Sequence, residues 1–214
     1  MSLRALVLAA ALAAGISYIG SWVLPLPPAA AIAWKGAGVG LLALYAALSA
    51  RSLDGWLLAV LLAFGALGDV LLETHGFVAG GLAFLVGHLV AIGLYLRNRR
   101  PLSFGSLTYA GALFIFIVLT AYLFPLNRAT AGPIAAYSAG LGAMVAVAWL
   151  SRFPRPLVAA GAIMFAASDL LIFLRTGRPT LDIPPIHVAV WGLYFAGQAL
   201  IAIGVTRRSE LTAR

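Results

Sequence analysis

The chain contains no cysteine, so disulfides and thiolate metal sites are both excluded. Charge is almost as scarce. Only 9% of the 214 residues are charged, six of them acidic, and Lys35 is the only lysine. A soluble domain carries about a quarter charged residues. A chain this poor in charge, 63% hydrophobic and with a mean hydropathy of +1.04, cannot cover itself with polar surface. Lipid must be its solvent. The net charge of +8 does not point to nucleic acid, because the basic residues are scattered through short loops.

What remains is a succession of apolar runs. A bilayer core of about 30 Å needs roughly 20 apolar residues per helix. Spans are expected at Leu3–Trp22, Ala30–Ser49, Gly55–Leu72, Phe77–Leu96, Phe104–Phe124, Gly132–Leu150, Leu157–Leu174 and His187–Val205. Proline, glycine and arginine mark the breaks between them. The first run loosely resembles a secretory leader, with Arg4 ahead of it and Ala29–Ala33 after it, but it is long enough to span and fits the topology as a retained helix. The expected class is all-α: a polytopic membrane protein of eight transmembrane helices, forming a single transmembrane domain over residues 1–214.

Basic residues orient the array. Ten (Arg4, Arg51, Arg97, Arg99, Arg100, Arg152, Arg155, Arg207, Arg208 and Arg214) fall on one side. Arg128, Arg175 and Arg178 fall on the other, and Lys35 lies within a span. Both termini are therefore expected in the cytoplasm. The scarcity of lysine and the richness in Ala, Gly and Arg fit a GC-rich bacterial gene, which makes the inner membrane the expected location.

Charged side chains inside a bilayer cost at least about 2–3 kcal/mol each and call for a reason. Asp69, Asp169, Lys35 and Glu73 raise that question, with His88, Ser168, Tyr194 and Gln198 as neutral polar company. Placed on the spans, all fall between the midplane and the outer surface. Aspartate is too short to snorkel well, and a helix C-terminus disfavours an acid, so Asp69 and Asp169 read as functional. The lysine stem of Lys35 can reach the headgroups, and Glu73 sits at a helix end, so each is open to an interfacial reading. His88 is either a core histidine or part of a site. Ser168 adjoins Asp169, but helix neighbours point about 100° apart, which argues against a direct dyad. Tyr194 and Gln198 are four apart and share a face. His75 and His187 lie at span ends. The three histidines lack metal-ligand spacing, so neither a metal nor a cofactor is expected.

The two aspartates sit in related contexts, AFGALGDVLL and IMFAASDLLI, and FLVGH (84–88) echoes YFAGQ (194–198). The echo points to a 4+4 duplication, with parallel repeats about an axis along the membrane normal.

These residues carry a wider likeness. Gly68-Asp69 with Leu71-Leu72, then Phe77, Gly81, Phe84 and His88, then Gly161-Ala162, Phe165 to Asp169, and Tyr194, Gln198 and Leu200-Ile201 resemble the YhhN family in order and spacing, from about residue 30 to 205. The chain departs from the family pattern at Gly36, where proline is usual after the lysine, and at Ala91, where an aromatic is common. The second departure bears on substrate fit. The resemblance implies hydrolysis of the vinyl ether bond of lysoplasmalogens to a fatty aldehyde and a glycerophospho-headgroup. Its partners would be a lysophospholipid or ether lipid and the surrounding membrane lipids.

That chemistry suits two carboxylates. Protonating the β-carbon of a vinyl ether gives an oxocarbenium ion, which water traps. One acid and one base are needed, as in paired-carboxylate glycosidases. Two carboxyl groups in one dry site tend to share a proton, which supplies both. Asp69 and Asp169 are the expected pair, with Lys35 keeping one of them charged and Glu73, His88, Ser168, Tyr194 and Gln198 as binding or supporting residues. Two other readings remain open: a transporter or channel, which mid-membrane carboxylates also suit, and a non-catalytic lipid-binding protein. No span is plainly broken by proline, which weighs against transport. Oligomeric state is not legible.

Overall fold

The computed structural model describes residues 2–212. Arg214, one of the ten basic residues counted on the cytoplasmic side, lies outside them. The described chain contains eight α-helices and no β-strand. They are α1 (Leu3–Ser17, continued by a 3₁₀ turn over Tyr18–Trp22), α2 (Pro28–Ser49), α3 (Leu53–Thr74), α4 (Gly76–Arg97), α5 (Phe104–Leu123), α6 (Arg128–Leu150), α7 (Val158–Arg175) and α8 (Pro184–Thr212). Each of the eight, with the 3₁₀ turn included in the first, is long and apolar enough to cross a membrane. The protein is a multi-pass membrane protein.

Boundaries differ from the sequence reading by a few residues. The loop expected at 74–76 shrinks to His75, because Gly76 takes the left-handed conformation (φ +83°) and starts α4 at once. Helix α6 begins at Arg128 and carries Pro133 within it. The proline lies near the start of the helix, and the helix runs on unbroken to Leu150.

Neighbouring helices pack as antiparallel hairpins: α1 on α2, α2 on α3, α3 on α4, α5 on α6, α6 on α7 and α7 on α8. Contacts between helices distant in sequence close the bundle, chiefly α4 on α6, α2 on α8 and α3 on α8, with α5 on α7 and α1 on α8 beside them. Helix α1 is fixed by two indole donors, Trp34 Nε1 to the Ala14 carbonyl (3.1 Å) and Trp191 Nε1 to the Gly15 carbonyl (2.7 Å). Helix α5 is peripheral. Phe104, Ile115, Phe116, Leu119 and Leu123 are all exposed, and lipid covers such a face in a membrane.

The α4–α5 and α6–α7 loops bind each other at one face. The Arg152 amide donates to the Asn98 carbonyl (2.7 Å), and Arg100 Nε donates to the Ser151 carbonyl (2.7 Å). Arg97 pairs there with Asp54 (3.1 Å). The C-terminal ends of α3 and α7 lie at the opposite face, where their residues line opposite sides of one cavity above the two aspartates.

Candidate functional site

Asp69 lies five residues before the end of α3 and Asp169 six before the end of α7, so each sits about 7–9 Å below its helix end. Both are buried. A buried carboxylate needs hydrogen-bond donors, and each aspartate receives one from a tyrosine. The Tyr194 hydroxyl on α8 donates to Asp69 Oδ2 (2.8 Å). The Tyr137 hydroxyl on α6 donates to Asp169 Oδ2 (2.7 Å). Charge-assisted bonds of this kind are stronger than neutral ones and fix the orientation of the carboxyl.

Small residues make the approach to Asp69 possible. A Cβ on Gly65 would come within 2.8 Å of Gln198 Nε2 and 3.5 Å of the Tyr194 hydroxyl. A Cβ on Gly68 would strike the Phe84 ring at 2.7–2.8 Å. The glycines of GALGD are what allow α4 and α8 to lay side chains directly against the aspartate turn.

Around the carboxyls the walls are aromatic. Phe84, Phe165 and Tyr194 contact one another edge-to-face with centroids 5.1–6.0 Å apart. His88 packs edge-on against Phe165 (5.0 Å). Such rings pack rigidly and exclude water. His88 Nε2 also lies 3.1 Å from the Tyr137 hydroxyl, so His88, Tyr137 and Asp169 form one hydrogen-bonded row. Because that hydroxyl donates to Asp169, the imidazole nitrogen facing it would be the donor to the tyrosine oxygen. A cavity of about 10 Å³ lies behind the row, among His88, Gln198, Phe165 and Tyr95. That is about the volume of one water, and the buried Tyr95 hydroxyl has no partner among the described residues.

The other expected residues divide. Tyr194 and Gln198 share a face as their spacing required, and both are buried at Asp69. Ser168 turns away from Asp169 and donates to the Val190 carbonyl on α8 (2.9 Å), a bond that ties α7 to α8. Lys35 Nζ binds Glu73 Oε1 at 2.6 Å. Its direct partner is thus Glu73, which stands one turn beyond Asp69 on α3. The Glu73 side chain is 44% exposed, so this pair stands at the mouth of the site. His187 bonds Asp182 (2.9 Å) at the same face, and His75 is exposed.

Tyr137, bonded to Asp169 and His88, is absent from the sequence reading. A signal for it exists. Lys35–Gly40 reads KGAGVG and 137–142 reads YSAGLG, so extending the repeat into α2 and α6 sets Tyr137 opposite Lys35. A Tyr137→Phe variant should keep the fold and lower turnover by about 10- to 100-fold, the cost of one hydrogen bond to a charged group. Steady-state rates at saturating substrate check this, and an unchanged rate would remove Tyr137 from the mechanism.

Above the aspartates the molecule opens into a cavity of about 600 Å³, lined by Leu72, Glu73 and Phe77 on one side and by Ile172, Arg175 and Arg178 on the other. Asp69 and Asp169 lie one to two helical turns below these lining residues. A polar headgroup at the membrane surface and a reacting bond just beneath it would fit this layout.

The YhhN family model matches residues 30–205, which span both aspartates and every candidate residue named above. Two curated relatives, lysoplasmalogenases of Mycobacterium bovis and Mycobacterium tuberculosis, are each 36% identical over 159 residues. The match covers 70% of this chain and 59% of each relative. The chain thus matches less than two thirds of the length of these relatives. No solved structure matches it significantly. With the family's motifs present in order from α2 to α8 and its model matched over most of the sequence, the chain belongs to the YhhN family.

Proposed function

We propose that this protein hydrolyses the vinyl ether bond of lysoplasmalogens, with Asp69 and Asp169 as a paired acid and base. The observation that carries the reading is the pair itself. Two buried carboxyls, each held by a tyrosine at 2.7–2.8 Å, lie beneath one open cavity and are joined through the rings of Tyr194, Phe165, His88 and Tyr137. Support also comes from the relatives named lysoplasmalogenase.

The protonated aspartate gives its proton to the β-carbon of the vinyl ether, and the α-carbon becomes an oxocarbenium ion. The ionised aspartate stabilises that cation and takes a proton from the attacking water. The resulting hemiacetal collapses, its hydroxyl proton passes to the departing glycerol oxygen, and a fatty aldehyde remains. The proton taken from water returns to the aspartate that gave one up, so the pair is restored and the net change is addition of one water. The aromatic walls keep other water from the cation. The His88–Tyr137 row orients Asp169, while Tyr194 and Gln198 orient Asp69. Lys35 and Glu73 bear on the charge at the mouth. The hydrocarbon tail enters from the bilayer.

Three substrates test this. Purified protein should release aldehyde from the vinyl ether lysolipid and leave its saturated alkyl-ether and ester analogues intact. Cleavage of the ester alone would mean acyl hydrolysis and defeat the proposal. Accumulation of lipid inside proteoliposomes with no aldehyde would favour the transporter reading instead.

A further inference from the structure

The 600 Å³ cavity has a charge pattern that hydrolysis does not require. Arg175 and Arg178 stand on one side, from the end of α7 and the turn after it. Glu73 and Asp182 supply carboxylates. Both arginines are held in place. Arg175 Nη1 pairs with Asp182 Oδ1 (3.3 Å), and Arg178 Nη1 donates to the Phe124 and Leu174 carbonyls (2.6 Å each). The bonds from Arg178 tie the α5–α6 connection to the end of α7, so the guanidinium is fixed before any ligand arrives. The Arg175 side chain is only 27% exposed while that of Asp182 is 64% exposed, so the cations line the wall and the acid reaches outward. Phe77 adds an aromatic surface able to contact an ammonium group.

We infer that this cavity is the subsite for a zwitterionic phosphodiester headgroup, with the phosphate on Arg175 and Arg178 and the terminal amine toward Glu73, Asp182 and Phe77. Fixed guanidinium forks match phosphate oxygens, and the cost of ordering them has already been met by the fold. The inference rests on the lysolipid reading of the aspartate pair and extends it. With the phosphate on the arginines and the carboxyls one to two turns deeper, the glycerol would bridge the two and the ether bond would lie at Asp69 and Asp169. The cavity would then select the headgroup, and the aspartates the bond.

Binding separates the two claims. A saturated alkyl-ether lysophosphoethanolamine, which has no vinyl ether to cleave, is titrated into the full-length protein beside the headgroup-free 1-O-alkylglycerol. Arg175→Gln and Arg178→Gln should each weaken binding of the phospholipid by about tenfold or more and leave the alkylglycerol within about twofold. Because Arg178 also braces the fold, Arg175→Lys serves as a second variant and should recover part of the loss. Glycerophosphoethanolamine should compete, and inorganic phosphate should compete less well, since it lacks the amine. Unchanged phospholipid binding in both glutamine variants would overturn the site. So would equal losses for the two ligands, the lysine variant included. Equal competition by inorganic phosphate would overturn its zwitterionic character. A wild type that binds the phosphoether yet releases no aldehyde from the vinyl ether would sink the hydrolase reading and leave the headgroup site standing. Cleavage that is indifferent to the headgroup would do the reverse.

Discussion

Asp69→Asn and Asp169→Asn should each abolish aldehyde release, lowering turnover by about 10²–10⁴-fold, the share that a positioned acid or base supplies. Asparagine is the informative substitution, because it preserves size and keeps an oxygen to accept the tyrosine bond. The Tyr137 bond to residue 169 and the Tyr194 bond to residue 69 can both persist. What asparagine cannot do is give a proton to carbon or take one from water. Fold and proton transfer are thereby separated. The double variant should be no worse than the weaker single one, because the two groups act as a unit. Turnover assays with thermal melts of each variant check this, and a folded Asp169→Asn protein with the wild-type rate would rule out the assignment.

The second large effect is on the fold. Helices α7 and α8 approach so closely at Gly161 and Gly197 that a Cβ on either would lie 2.6 Å from the other's carbonyl oxygen. The obstructing atoms are backbone, so no rotamer change can relieve the overlap. Small residues at such crossings let membrane helices pack without a hydrophobic driving force between them. Gly161→Val and Gly197→Val should each force the helices apart, costing about 1–3 kcal/mol or more. The Ser168 bond to the Val190 carbonyl crosses the same pair and should be lost with it. Activity should fall too, because Asp169 and Tyr194 ride on these two helices. The thermal midpoint in detergent reads the outcome. A valine variant melting with the wild type would show that the crossing has slack.

Spans were the most legible feature, since every helix is a run of apolar residues bounded by proline, glycine or arginine. The aspartates were legible for the same reason, as carboxylates are costly where such runs lie. Their partners were harder to read. A tyrosine in an apolar helix looks like an ordinary core residue, and only the position of α6 beside α7 reveals that Tyr137 reaches Asp169. Lys35 shows the opposite difficulty. Its presence in a span was evident, but whether it served Asp69 or Glu73 depended on how α2 sets against α3. Helix geometry argues against a Ser168–Asp169 dyad, but the tie of Ser168 to the Val190 carbonyl on α8 has no signal in the sequence.

The duplication read from the aspartate contexts remains a proposal, and two features support it. Phe84 and Tyr194, which correspond in the echo, touch at 5.7 Å, as equivalents beside a two-fold axis would. The contact of α2 with α8 is matched by that of α6 with α4, which the same axis would generate. A site at the axis would explain why one carboxyl comes from each half. Cytoplasmic termini, read from the arginine distribution alone, are likewise proposed. Labelling of single cysteines placed at Arg4 and Thr176 in intact cells should reach only the second, and the reverse pattern would invert the topology.

β-Carbon protonation followed by attack of water on the α-carbon is tested most directly by hydrolysis of a lysoplasmalogen in H₂¹⁸O by the wild-type protein, with the headgroup product analysed by mass spectrometry. Attack on the α-carbon breaks the bond between that carbon and the ether oxygen, so the glycerophospho-headgroup should carry no ¹⁸O. A headgroup labelled with ¹⁸O, which attack on the glycerol carbon would give, would contradict the mechanism.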